Sequence, residues 1–324
     1  MAQIEANAIA YSYNVRKYYL ECAMILDEIV DYLSCNCISF EQNYSTSKLS
    51  FLEIGGPARL VAYPKSKYEL CKLLNKLTHK AIKFIVIGNC SNVFFSSFGY
   101  DGVVISTRLL NEIHISGNSI EALCGALVTD CAVLSMSFGL SGLEFLCGIP
   151  GSVGGAVYMN SCAYDGKISS VVAECEAYDI LENKIINLTN EELCFSDKKS
   201  IFSGDPNLII LSVKFKLKNE NINLIKKRML EISLKRIKSQ PLELGNCGST
   251  FKRPLNLYAS KIIDDLNLKG LSIGGAMVSK KHAGFIVNFN TASSKDVVEL
   301  IEKIREEALD KLGVLLEQEI IFVE

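Results

Sequence analysis

The stretch FLCGIPGSVGGAVYMNSCAYDG, residues 145–166, places five glycines and a single charged side chain, Asp165, in 22 positions. Glycine inside a packed region weakens it, because it loses the most chain entropy on folding and buries no side chain. Such a segment must turn tightly or let another body approach its backbone. A second turn of the same kind, in IGNCSNVFF at 87–95, directly follows an apolar strand. Successive backbone N–H groups in a turn of small residues form a concave anion site. GIPGSVGGA at 148–156 offers another such surface, leading into a short helix whose amino end favours phosphate. On this reading the two turns grip the two ends of a long phosphorylated cofactor. Neither has the GxGxxG spacing followed by an acidic residue, which disfavours a Rossmann dinucleotide site.

Around these turns the hydrophobic pattern alternates. RLVAY (59–63) reads as a strand. Ser66 and Glu69 form a capping box before a helix with Leu70, Leu73, Leu74 and Leu77 on one face, and KFIVIG (83–88) is a buried strand. That is a βαβ-like unit with a mixed sheet. From 103 to 217 the strands are short (VVIS, EIHIS, SIEALC, VVAECEAYDI, KIINL, LIILSVKFKL), with one helix at about 128–138. A lysine-rich boundary near 218–223 precedes a helix that stops before Pro241. A second helix, Ser294 to Leu312, carries Val297, Ile301, Ile304, Ala308 and Leu312 as its apolar stripe and Gly313 as its cap. VLLEQEIIFV (314–323) reads as a final strand. The implied division is a helical extension at 1–43, then units at 44–106, 107–219 and 220–324.

With 22% charged residues and a formal net charge of −2, the chain gives no electrostatic case for nucleic acid. No apolar run reaches the roughly 18 residues of a membrane span, and the amino terminus has acidic residues where a signal peptide needs basic ones. The expectation is a cytoplasmic protein with neither membrane nor nucleic-acid partner. Twelve cysteines are scattered with no CxxC, and His79, His114 and His282 stand far apart. That pattern suits neither a disulfide framework nor a metal site. Cysteine here reads as a small buried apolar residue in a reducing compartment.

A third constellation is QPLELGNCGSTFKRP, 240–254. Pro241 and Pro254 bracket a loop whose Gly245 and Gly248 lead to Ser249, expected exposed on a sharp turn beside Lys252 and Arg253. The basic pair favours an anion. No GxSxG elbow is present, so a hydrolase serine is a poor reading.

Six blocks, LSFLEIGGPARLVAYP (49–64), IGNCSNVFFSSFGYDGVVI (87–105), GIPGSVGGAVYMNSCAYDG (148–166), GNCGSTFKRP (245–254), LKGLSIGGAMVSKKHAGFIVN (268–288) and LEQEI (316–320), occur in this order. Together they resemble the UDP-N-acetylenolpyruvoylglucosamine reductase family, in its shorter second type, over roughly residues 44 to 324. The resemblance implies an α+β protein: a two-subdomain FAD-binding fold of the vanillyl-alcohol oxidase (PCMH) type plus a C-terminal α/β unit that closes on a UDP-sugar. It implies non-covalent FAD held by Gly88, Asn89, Cys90, Ser91 and Asn92, and by Gly148, Ile149, Gly151, Ser152, Gly154, Gly155, Ala156, Asn160 and Tyr164. NADPH would donate hydride, and the enolpyruvyl ether would take it, giving UDP-N-acetylmuramate for peptidoglycan.

Hydride addition builds negative charge on the substrate's α-carbon and carboxylate, which needs preorganised positive or protonated groups and then an acid. On the family pattern Ser249 matches the proton donor, Glu319 matches the active-site glutamate, and Lys252 and Arg253 lie near the UDP phosphates. One position departs. The family carries arginine in a segment like FxYRxSIF, whereas CFSDKKSIF (194–202) places Lys198 there. An ammonium lacks the bidentate fork of a guanidinium. Lys198 serves in its place, or Lys199 does, or the chain keeps the flavin with weakened or lost reductase activity.

Overall fold

The helix Lys67–His79 begins where its cap predicts, with the Ser66 hydroxyl accepting from the Glu69 N–H at 3.2 Å. The box is not reciprocal, because the Glu69 carboxylate takes the N–H of Lys65 at 2.8 Å instead of that of Ser66. Its four leucines are fully buried and pack with Leu60, Ala62, Val103 and Ile105 of a four-stranded sheet. The strand order is Ser39–Ser45, Pro57–Tyr63, Tyr100–Ser106, Phe84–Ile87. The first pair is antiparallel and the others parallel, so the sheet is mixed.

The computed structural model describes residues 26–254 and 257–324, so most of the expected amino-terminal extension lies outside the described residues. Residues 26–35 are helical, and Ile29 and Leu33 bury themselves in the core around Leu60 and Leu70. The strand Ser39–Ser45 crosses the expected boundary at 43/44, because its backbone pairs with Pro57–Tyr63 over the whole length. Residues 26–43 therefore belong to the first unit.

The second unit is a five-stranded antiparallel sheet in the order Lys184–Thr189, Val172–Asp179, Leu208–Lys216, Ser119–Leu123, Ile113–Ser116. The helices Val128–Ser137 and Val153–Tyr158 share its core. So does the helix Ile222–Ser239, through Ile225 and Met229. Arg228 fastens that helix down, 2.7 Å from Glu144 and 2.6 Å from Glu220. The boundary expected at 219/220 is thus displaced: this helix leans on the second unit, because its buried Ile225 and Met229 and its Arg228 find partners there.

The third unit is an antiparallel sheet, Gly245–Ser249, Phe285–Asn288, Ala276–Val278, Ser272–Ile273, covered by the helix Ser294–Leu312. A full capping box joins Ser293 and Asp296, and Gly313 closes the far end at φ +65°. Val297, Leu300, Ile301, Ile304 and Ala308 are buried, whereas Leu312, expected on the stripe, is exposed. The final strand is shorter than predicted, Ile321–Val323, and it pairs in parallel with Val93–Phe95 of the first unit. Upstream, Gln318 bridges Phe251. Leu52, Ile54 and Phe94 in turn enter the core of the third unit. The first and third units interlock, and the segment 317–320 is held at their seam. Among the described residues no helix is long and apolar enough to cross a membrane.

Candidate active site

Strand Phe84–Ile87 delivers the chain to the turn at 88–92. None of the five N–H groups of residues 88–92 finds an acceptor among the described residues. Cys90 sits at φ +50°, a left-handed geometry that gathers N–H groups on one side of a loop. The second glycine turn lies directly against the first. The Asn89 amide donates to the Pro150 carbonyl at 2.7 Å. A Cβ on Gly88 would stand 1.9 Å from the Ser152 hydroxyl, and one on Gly151 would stand 3.5 Å from that of Ser91. The turns therefore form one cradle instead of gripping two ends of a ligand, a contact that the sequence could not fix because it depends on how the two sheets meet.

The helix end in this segment also differs from expectation. The N–H groups of Val153 and Gly154 go to the carbonyls of Ala126 and Cys124, and that of Gly155 goes to the Ser152 hydroxyl. The helix amino end is thus spent on the protein itself. The N–H groups of Gly151 and Ser152 find no acceptor among the described residues and complete the cradle. A cavity of about 490 Å³ adjoins it, lined by Ser47, Lys48, Leu49, Ser50, Phe51, Glu53 and Arg108. The Phe51 N–H donates to the Cys90 carbonyl. The buried Nε of Arg108 has no acceptor among the described residues. A row of unpaired N–H groups, a half-buried guanidinium that bonds the Leu49 carbonyl and keeps its buried Nε free, and a glycine at 88 with no room for a side chain fit a diphosphate-bearing flavin.

Beside the cradle, the loop 196–199 closes on itself through the Ser196–Lys199 bridge and holds Lys198 at φ +54°. Such geometry costs a non-glycine residue about 1–3 kcal/mol and persists where the surroundings impose it. The Lys198 ammonium lies 2.7 Å from the Glu319 carboxylate, and their side chains are only 14% and 8% exposed. Burial opposes the charge on Lys198, but the attraction and hydrogen bond of Glu319, with Cys162 adding to them, hold its pKa above the usual lysine value. On Glu319 burial is the larger influence and pushes its carboxyl up, against the pull of Lys198. At 2.7 Å the two charges compensate each other, and we describe the pair as ionised. Lys199 is exposed.

Glu319 is positioned from two sides. Its N–H donates to the carbonyl of Thr250, the neighbour of Ser249, and its carbonyl accepts from the Asn92 amide at 3.1 Å. The seam thus brings the flavin cradle, the Lys198 loop and the Ser249 strand together. Ser249 is exposed as expected, but on a strand end with a bulge and not on a turn, Gly248 supplying φ +75°.

Several of the expected site residues already have partners within the protein. The Asn160 side chain is consumed by the protein, donating to the Ser196 carbonyl at 2.8 Å and accepting from the Ser169 N–H at 3.1 Å; it fixes the Lys198 loop. Gly154 packs against Cys124 and Ala156 is buried in the second unit's core, so both serve packing. The Ile149 N–H donates to the Leu146 carbonyl, and Gly148 and Tyr164 lie against Arg236. Lys252 pairs with Glu317, and the Arg253 guanidinium stacks 3.9 Å from the Tyr258 ring centre. Sequence reasoning did not single out Arg108 or Arg236, because no local motif marks either.

Cys90, Cys124, Cys131, Cys175 and Cys247 are buried as small apolar residues, whereas Cys35, Cys37 and Cys194 are exposed. All cysteines among the described residues are free thiols, and burial pushes Cys90, Cys124, Cys131 and Cys247 up to about 12.

A mixed sheet and an antiparallel sheet meeting at a cradle of unpaired N–H groups, with a third unit locked across it, define an α+β flavoprotein of the vanillyl-alcohol oxidase type. Residues 58–188 match the FAD binding domain family, and residues 240–323 match the C-terminal domain of UDP-N-acetylenolpyruvoylglucosamine reductase. The chain is 42% identical over 295 residues to the UDP-N-acetylenolpyruvoylglucosamine reductase of Caldicellulosiruptor bescii, covering 90% of this chain and 93% of that one. Against the same enzyme of Clostridium botulinum it is 39% identical over 280 residues, covering 86% and 91%. The crystal structure of the reductase from Thermus caldophilus superposes with a TM-score of 0.75 at 30% identity, covering 89% of this chain and 99% of that one. The chain belongs to the UDP-N-acetylenolpyruvoylglucosamine reductase family.

Proposed function

We propose that the three segments meeting at the seam carry out the family's reaction, the NADPH-dependent reduction of UDP-N-acetylglucosamine enolpyruvate to UDP-N-acetylmuramate for peptidoglycan synthesis. The observation that carries this reading is the buried Lys198–Glu319 pair, tied on one side to the cradle through Asn92 and on the other to the Ser249 strand. FAD, when bound, supplies the chemistry of taking hydride from NADPH and passing it to the enolpyruvyl carbon. The free N–H groups of residues 88–92 and of Gly151 and Ser152 hold its diphosphate, with Arg108 behind them. Lys198, raised in pKa and fixed by Glu319, presents a permanent positive charge to the substrate carboxylate as negative charge develops there. Ser249, exposed on its bulge, donates the proton to the α-carbon.

Lys252 and Arg253 take the UDP diphosphate by exchanging Glu317 and the Tyr258 face for phosphate oxygens. Residues 26–106 and 107–239 hold the flavin, and the remainder closes on the UDP-sugar. A reducing cytoplasm suits the buried protonated thiols.

A stopped-flow record tests the assignment. NADPH should bleach the flavin, and UDP-N-acetylglucosamine enolpyruvate should then restore its absorbance. A flavin that bleaches but is not reoxidised by that substrate would overturn the reading of the substrate site.

A further inference from the structure

Arg236 stands in the last turn of the helix Ile222–Ser239 and is 7% exposed. Its Nε and one of its terminal nitrogens are buried with no hydrogen-bond partner among the described residues, and its other terminal nitrogen donates to the Gln240 side chain at 3.2 Å. The Tyr164 ring lies 5.5 Å from the guanidinium. No carboxylate pairs with it among the described residues. A buried cation left with unmade hydrogen bonds costs several kcal/mol as a structural element, so folding alone gives no reason to keep one. The neighbouring backbone is shaped around it. Gly148 holds φ +76°, and a Cβ there would lie 3.2 Å from Cδ and 3.3 Å from Nε of Arg236. Gly148 is three residues ahead of Gly151, whose free N–H belongs to the cradle.

We propose that Arg236 is a diphosphate ligand, a guanidinium fork reaching from the helix over Gly148 towards the cradle, where it completes its hydrogen bonds on phosphate oxygens. The fork geometry suits two oxygens at once. Diphosphates of the same chemistry are offered by FAD, by the UDP-sugar and by NADPH. The inference rests on the reading of residues 88–92 and 151–152 as the flavin cradle.

The test compares the flavin-loaded full chain with its Arg236→Met variant in three binding arms. FAD release on dilution is read by flavin fluorescence, and UDP and NADP⁺ are titrated separately into the loaded protein. Losing a charge-assisted hydrogen-bond pair is expected to weaken one arm by about 10- to 100-fold, with a reduced salt dependence in that arm. The arm that weakens names the source of the diphosphate. Meanwhile the unfolding midpoint of the flavin-stripped variant should equal or exceed the parent's, because an orphaned charge has been replaced by an apolar chain of similar length. Unchanged affinity in all three arms overturns the proposal. So does a uniform loss in every arm together with a lower midpoint, which is the signature of a structural arginine. If Arg236→Met does not fold, Arg236→Lys decides: a partial loss in one arm supports the proposal, and no loss in any arm overturns it. A parent chain that holds no FAD at all would instead sink the cradle reading.

Discussion

Replacing Lys198 by alanine strands the Glu319 carboxylate in a site where only 8% of its side chain meets solvent. At 2.7 Å the lost attraction is about 6 kcal/mol at an effective dielectric of about 20. The variant escapes part of this by protonating Glu319, so the cost is capped by the work of adding a proton. From an unfolded-state pKa near 4.3, that work is about 4 kcal/mol at pH 7.5 and about 2 kcal/mol at pH 5.5. The sign follows from linkage. In the variant Glu319 is neutral when folded and ionised when unfolded, so its folded pKa is raised and stability falls as pH rises above the unfolded value. Burial lifts Glu319 in the parent too, but Lys198 restrains that rise.

The gap in unfolding midpoint between parent and Lys198→Ala should therefore widen by about 5 °C from pH 5.5 to pH 7.5, taking roughly 2 °C per kcal/mol. Thermal unfolding followed by circular dichroism at both pH values measures it. A gap equal at the two pH values would refute the buried-pair argument. In the same protein, reoxidation of reduced flavin by the enolpyruvyl substrate should slow by a factor on the order of a hundred. Lys199→Ala, on the exposed neighbour, should leave both readouts unchanged, and Lys198→Arg should retain activity.

Ser249→Ala should leave flavin reduction by NADPH near the parental rate and slow reoxidation by roughly a hundred- to ten-thousand-fold; a stopped-flow effect below about tenfold on the second step would remove Ser249 as the proton donor. Gly88→Ala should destabilise by about 1–3 kcal/mol through overpacking and weaken FAD retention, because its Cβ meets the Ser152 hydroxyl; the double change Gly88→Ala with Ser152→Gly should recover part of both, as read by FAD release. A thiol reagent at pH 8 should modify the exposed Cys35, Cys37 and Cys194 in the native chain, while Cys124 and Cys131, pushed up to about 12 by burial, should react only after unfolding. Mass spectrometry of the labelled peptides distinguishes the two groups.

How much of this was legible in the sequence depends on the range of the forces involved. Helix Ser294–Leu312 announced itself through its apolar stripe and Gly313, all within 20 residues of one another. The turn at 88–92 was equally plain, since small residues after an apolar strand can do little but turn. The six ordered blocks also carried the family, and with it FAD and the expected roles of Ser249 and Glu319. Position 198 was marked too, because counting back from Ser200-Ile201-Phe202 is a local operation.

Tertiary structure alone decided what these segments touch. The contact of Gly88 with Ser152 joins turns some 60 residues apart, and the Lys198–Glu319 pair spans more than a hundred. Neither leaves a periodic trace in the chain, because long-range pairs are selected by how whole sheets pack and not by local propensity. The same holds for the amino end of helix Val153–Tyr158, whose N–H groups looked available for phosphate until the carbonyls of Cys124 and Ala126 were brought to them. Arg236 is the clearest case. In the sequence it is one more basic residue on a lysine-rich helix, and only burial against Gly148 and Tyr164 strips it of water and turns it into a charge that needs a partner.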